Sequence, residues 1–186
     1  MLPVDKVAPG VVESVGQGTS WFGHVSAEPE RQGQSKYRQA IELAFTDAGI
    51  DFKHDPFIHK RIWEKVAFNT GMNAVCALCH ATPGLINDSP ENLKIVQLAA
   101  REVAAVAASM DIEIELESVY STIQFACENH GDHKPSMLQD LLAGKRTEVN
   151  ALNAAIVERG HKAGVEVPVN QLLSSLIQLA ERGHSK

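Results

Sequence analysis

Lys65, Asn69 and Asn73 recur at every fourth position of the stretch Trp63-Glu64-Lys65-Val66-Ala67-Phe68-Asn69-Thr70-Gly71-Met72-Asn73. At helical pitch this spacing lines one amine and two carboxamides along a single face, a row of groups able to hydrogen-bond a ligand or one another. The rest of the segment is mostly apolar, with Ile62, Val66, Ala67, Phe68, Met72, Ala74 and Val75. An ordinary surface helix shows Glu, Lys and Arg on its wet face; two Asn residues cost helix propensity and must be held by something. That is either a satisfied structural network or a bound ligand. Ser136 and Glu148 complete the polar set. Singly, each has a structural reading: Lys65 as a snorkelling lysine, the Asn pair as a buried network, Ser136 as a helix cap, Glu148 as a carboxylate facing a helix dipole. Residue types alone leave both readings open.

Three other motifs could carry chemistry. Cys76-Ala77-Leu78-Cys79-His80 has the spacing of covalent haem attachment, but it sits within a helical apolar pattern, which favours core-filling cysteines. No second cysteine pair completes a zinc site. Gly16-Gln17-Gly18 and Gly23 match a dinucleotide fingerprint loosely: the third glycine position is Trp21, so the glycines read as hairpin punctuation. His130, Asp132 and His133 share a polar loop without the further ligands a metal site needs, and no metal is expected.

The elements that must position these residues are mainly helical. Val11, Val12, Val15, Trp21, Phe22 and Val25 suggest two short strands joined at Gly16-Gln17-Gly18, and these need a larger sheet to join. A helix from about Ser35 to Ala48 stops at Gly49, and Ile50-Asp51-Phe52-Lys53 is extended. From about Pro56 the pattern is helical throughout. The first helix runs to about Ala81, ahead of the Pro83-Gly84 break, and Ser89-Pro90 opens a second to about Met110. Further helices are expected over Leu116 to Glu128, from a capping box at Ser136 to Gln139, from Thr147 to Ala163, and from Asn170 to Glu181.

A length of 186 residues allows one domain with a sizeable core, or one domain with a small appendage. The net charge of -6 provides no basic field for a nucleic acid. No run approaches the roughly 18 apolar residues of a membrane helix, and Met1-Leu2-Pro3-Val4-Asp5-Lys6 lacks the regions of a signal peptide. Three cysteines without export features argue against a disulfide framework. The expectation is a soluble, cytoplasmic protein with no nucleic-acid or membrane partner.

Four blocks, in order and spacing, then carry a resemblance. Trp63-x-Lys65-x3-Asn69-x3-Asn73, Ser136-Met137-Leu138-Gln139-Asp140, Gly144-Lys145-Arg146-Thr147-Glu148-Val149-Asn150-Ala151-Leu152-Asn153 and Gly164-Val165-Glu166-Val167-Pro168-Val169-Asn170 together resemble the C-terminal half of the ketopantoate reductase (2-dehydropantoate 2-reductase) family. The resemblance implies a mainly α fold: a multi-helix C-terminal domain of the 6-phosphogluconate-dehydrogenase-like type over residues 55–186, preceded over residues 1–54 by a strand remnant of a Rossmann domain. It implies NADPH-dependent reduction of ketopantoate to pantoate, on the way to pantothenate and coenzyme A. Lys65 then matches the general acid, Asn69 and Asn73 substrate-binding amides, Ser136 a substrate-contacting hydroxyl, and Glu148 a catalytic carboxylate at the junction of substrate and cofactor. An ammonium suits that role, because hydride arriving at a ketone carbon builds negative charge on its oxygen.

The chain departs from the family pattern in two ways. Pro83 stands where some members carry a further substrate-binding Asn, which bears on the substrate. The N-terminal glycine fingerprint is absent, so the chain by itself is expected to be inactive and to hold no NADPH tightly. The alternatives are a non-catalytic helical binding or oligomerisation module of the same fold, and a reductase of another 2-keto acid. A homodimer fits any of the three.

Overall fold

The computed structural model describes residues 4–14, 18–24 and 34–184 of the chain, which divides into two compact units, residues 1–59 and 60–186. The expected boundary lay after residue 54. In the first unit β1 (Val4–Ala8) and β2 (Val11–Ser14) form an antiparallel pair closed by Pro9-Gly10, with Gly10 in the left-handed region at φ +77°. β3 (Ser20–Phe22) pairs in parallel with β4 (Phe52–His54), and α1 (Gln34–Asp47) lies between them in the chain. The rings of Phe22, Phe45 and Phe52 meet at 5.5–6.0 Å, which packs α1 onto the β3–β4 pair.

This pairing corrects the expected hairpin of residues 11–15 with 21–25. β2 takes β1 as its partner because Pro9-Gly10 supplies a tight turn directly between them. β3 instead takes the strand that follows α1, as a parallel pair requires a crossover. Residues 15–17 and Val25, part of that expectation, lie outside the described residues.

The second unit is helical, and the chain as a whole is mainly α. α2 (Ile58–Cys79) runs through its core, with Ala67, Met72, Ala74, Cys76 and Ala77 fully buried. It is followed by α3 (Pro83–Ile86), α4 (Pro90–Ala108), α5 (Leu116–Asn129), α6 (Ser136–Leu142), α7 (Asn153–Ala163) and α8 (Pro168–His184). α4 buries Val96, Ala99, Ala100 and Val103, the i, i+3, i+4, i+7 stripe of an amphipathic helix. Its N-terminus is capped as expected, Ser89 Oγ accepting from the Glu91 backbone N–H at 3.2 Å. α5 adds Val119 and Ile123, α6 adds Leu138 and Leu141, and α8 adds Leu173 and Ile177.

Two helix starts differ from expectation. The helix expected from Thr147 begins at Asn153, because Glu148 to Leu152 fold into tight turns in which the Ala151 and Leu152 amides both donate to the Glu148 carbonyl at 3.0 Å. Thr147 is held from outside, its amide and hydroxyl donating to Glu181 Oε1 at 2.6 and 2.7 Å. Ser136 does not cap α6: Pro135 takes the cap position and the Ser136 hydroxyl turns elsewhere.

The tightest helix crossing is at Gly71. A Cβ there would lie 2.6 Å from the Val96 carbonyl oxygen and 2.9 Å from Val96 Cγ1, so α2 and α4 touch nearly backbone to backbone. A backbone oxygen inside a helix cannot step aside as a side chain can. Gly71→Ala is therefore expected near the upper end of the about 1–3 kcal/mol of overpacking, against roughly 1 kcal/mol gained in helix propensity. Urea denaturation should show a lower midpoint with an unchanged slope.

Cys76 and Cys127 are core residues, and Cys76 Sγ lies 3.7 Å from Met72 Sδ, whereas Cys79 on the same helix is exposed. Burial pushes the Cys76 thiol up to about 12 and the Cys127 thiol up to about 11, so both stay protonated at neutral and mildly alkaline pH. Iodoacetamide at pH 8 is expected to alkylate Cys79 in the native chain. Cys76 and Cys127 should react only after unfolding, as peptide mass spectrometry would read.

Candidate functional site

α2 carries the polar row from solvent into the core. Lys65 is exposed, Asn69 is half-buried and Asn73 is buried. Over two helical turns, about 12 Å of axis, the row thus passes from a solvated ammonium to a sequestered carboxamide. Asn73 is the end at which the row meets other elements. Its Nδ2 lies 3.5 Å from Ser136 Oγ, a long contact, and the Ser136 hydroxyl donates to Glu148 Oε1 at 2.7 Å. One hydroxyl thereby joins α2 to the start of α6 and to the turn at 148.

Two structural readings of the sequence do not hold, because the helices start at other residues. Ser136 is the first residue of α6 and not its cap, its hydroxyl donates to Glu148, and the capping-box partner Gln139 donates to the Lys134 carbonyl at 2.8 Å. Glu148 lies ahead of α7 by a full set of turns, so it does not face that helix's N-terminal dipole. The turn itself is fixed from α8, by Glu181 on Thr147 and by Gln178 Nε2 donating to Asn150 Oδ1 at 2.9 Å.

Three of the five sequence-selected residues, Asn73, Ser136 and Glu148, are therefore linked directly. Lys65 and Asn69 share the helix and its face but make no hydrogen bond or ion pair among the described residues. Among the described residues no group of three His, Cys, Asp or Glu side chains could hold a metal, and the His130 ring stacks edge-on against Phe125 at 5.5 Å. No helix among them is long and apolar enough to cross a membrane. A groove of about 750 Å³ between α7 and α8, lined by residues such as Gly160, His161, Val165 and Gln171, contains none of the five.

Beneath the site lies a buried network with residues that the sequence reading did not single out as functional. Asn153 Nδ2 donates to the Thr70 carbonyl at 2.9 Å and to Asn170 Oδ1 at 3.1 Å. Asn170 Nδ2 donates to the Ala99 carbonyl at 3.0 Å and to Glu102 Oε2 at 2.8 Å. The Glu102 carboxylate also takes the Val169 and Asn170 backbone N–H groups at 2.8 Å, occupying the N-terminus of α8. The available signal was Asn at two positions where a helix start could equally explain it.

Comparison with known proteins yields one consistent picture. The family model described as "Ketopantoate reductase PanE/ApbA C terminal" matches residues 58–181. The 2-dehydropantoate 2-reductase of Halobacterium salinarum is 30% identical over 95% of this chain and 56% of its own length, and that of Archaeoglobus fulgidus is 29% identical over 94% and 56%. The chain spans about half the length of the curated relatives it matches. Among solved structures, D-mandelate dehydrogenase in a ternary complex with NADH and anilino(oxo)acetate superposes with a TM-score of 0.89 at 25% identity, covering 100% of this chain and 60% of that one. The family match begins at the first residue of α2 and extends into α8, taking in all five polar residues and the network under them. Through this helical C-terminal domain, the chain belongs to the ketopantoate reductase family.

Proposed function

We propose that residues 60–186 supply the substrate side of a 2-keto acid reductase, with ketopantoate as substrate and NADPH as reductant of the complete enzyme. The observation that carries this reading is the Asn73–Ser136–Glu148 chain at the buried end of the Lys65–Asn69–Asn73 row. A 2-keto acid presents a carboxylate and a ketone oxygen, both acceptors. Lys65 and Asn69 offer donors with no partner among the described residues, and Asn73 has a second amide hydrogen beyond the one aimed at Ser136. An ammonium beside the ketone oxygen stabilises the charge that builds there on reduction and delivers the proton that makes it a hydroxyl. Lys65 is assigned that role, Asn69 and Asn73 bind and orient the substrate, and Ser136 with Glu148 holds the Asn73 end of the row in place. Glu148 is also assigned to the side of the site facing the cofactor.

The described residues do not fit a dinucleotide by themselves. No strand among them runs through a Gly-x-Gly-x-x-Gly turn into a helix: β2 and β3 are successive strands, and β4 leads to α2 through Asp55-Pro56-Phe57. The first unit, with its parallel β3–β4 pair and α1 crossover, is assigned as the closing part of a nucleotide-binding domain. The hydride chemistry belongs to the cofactor and no step of it is assigned to these residues.

A second reading, reduction of a different 2-keto acid, is favoured by the likeness to D-mandelate dehydrogenase and by Pro83 in place of a substrate-binding Asn. Competing the two substrate classes decides between them, a higher kcat/KM for ketopantoate than for an aryl keto acid supporting the first. With a nucleotide-binding domain joined ahead of the chain, Lys65→Ala is expected to lower kcat at least about a hundredfold. Turnover near that of the unsubstituted protein would remove Lys65 from the mechanism. Calorimetry on the chain alone should show no measurable NADPH binding; tight binding would mean that the cofactor site is assigned to the wrong residues.

A further inference from the structure

We propose that Asn153, oriented by Asn170 and Glu102, is a positioning residue that sets the Lys65–Asn69–Asn73 face of α2 against Glu148; the inference rests on the substrate-site reading above. Asn153 and Glu148 belong to one short segment, and each is tied to α2. Glu148 reaches it through Ser136 and Asn73, while Asn153 reaches it through the Thr70 carbonyl, one residue from Asn69 and three from Asn73. Two ties at neighbouring points of the helix fix both its rotation and its slide relative to the turn. The Gly71 crossing sets α2 against α4, whereas toward this segment the Asn73–Ser136 contact is a long 3.5 Å and the Asn153–Thr70 bond, at 2.9 Å, is the closer link.

The direction of every amide in the network is forced from one end. The Glu102 carboxylate and the Ala99 carbonyl only accept, so Asn170 must turn its NH2 toward them. Asn170 Oδ1 then faces Asn153, whose own NH2 must turn toward it and toward the Thr70 carbonyl. Flipping Asn153 would set oxygen against oxygen at both contacts. Asn153 is completely buried, and its Oδ1 has no partner among the described residues. Asn153 thus keeps both donors engaged at the cost of one unpartnered acceptor, whereas an apolar residue in its place would leave Asn170 Oδ1 without this donor.

Asn153→Leu keeps the branching at Cγ and removes the donor, with a larger side chain in a fully buried position. In the ligand-free chain its effect is read from the side-chain amide NMR signals of Asn69 and Asn73 and from the Ser136–Glu148 hydrogen bond, compared with Asn73→Ala as the reference for a lost contact. With a nucleotide-binding domain joined ahead, Asn153→Leu is expected to raise the KM for ketopantoate about tenfold or more while leaving the KM for NADPH unchanged, because a misplaced substrate row does not touch the cofactor. Glu102→Gln, which weakens the far end of the network, should move the same signals in the same direction by less, and it carries the test if Asn153→Leu does not fold. Unmoved Asn73 and Ser136 signals, with both KM values constant and kcat following the folded fraction, would overturn the proposal and leave Asn153 a core residue. If the unsubstituted two-domain protein does not reduce ketopantoate, the functional reading falls, and the ligand-free signals alone decide the positioning.

Discussion

At Gly71, α2 and α4 approach so closely that a single methyl group would overlap a backbone oxygen. That approach draws α2 into the core of residues 60–186, where Ala67, Met72, Cys76 and Ala77 lose all contact with solvent. Small side chains on α2 permit it, and the aliphatic stripe of α4 fills the space beside it. With the helix sunk this far, its polar row cannot be uniformly wet. Lys65 remains in solvent, Asn73 does not, and the buried carboxamide needs a partner. Ser136 supplies one, and Glu148 in turn accepts the serine proton. The linked polar groups are thus a consequence of burying a helix with carboxamides on one face.

The polar groups of this unit act as ties between elements whose apolar packing is less directional. Apolar contacts tolerate sliding, whereas a charge-assisted hydrogen bond has a narrow geometry. Glu102 fixes the start of α8, Glu181 and Gln178 fix the turn that carries Glu148, and Asn153 fixes α2 to the start of α7. Each tie joins residues distant in sequence. Together they relate the turn at 148, α8 and α2 to one another.

The first unit obeys a different constraint. Parallel strands are ordinarily flanked by helices and by further strands, and a two-stranded sheet is marginal in water. Here the Phe22, Phe45 and Phe52 rings cover one side of the β3–β4 pair, while Trp21 and Ile50 remain exposed. Lys53 Nζ sits 5.5 Å from the centre of the Trp21 ring, a cation–π contact on a surface open to solvent.

The helices were legible in the sequence because their signals are local. Ser89-Pro90 before an apolar stripe, Gly49 and Gly164 beyond helix ends, and the fourfold spacing of Lys65, Asn69 and Asn73 each act within a few residues. The order of the polar blocks also sufficed to expose the family resemblance. What the sequence could not determine was every choice made between distant partners. β2 had two neighbouring strands to pair with, and Pro9-Gly10 decided for β1. Ser136 and Thr147 both looked like caps, yet α6 begins at Ser136 itself and α7 only at Asn153, and a distant carboxylate accepts from each hydroxyl. Asn153 and Asn170 carried no local mark of their partnership. A hydroxyl or carboxamide has several acceptable partners of similar strength, and only the packing of the apolar core determines which of them comes within about 3 Å.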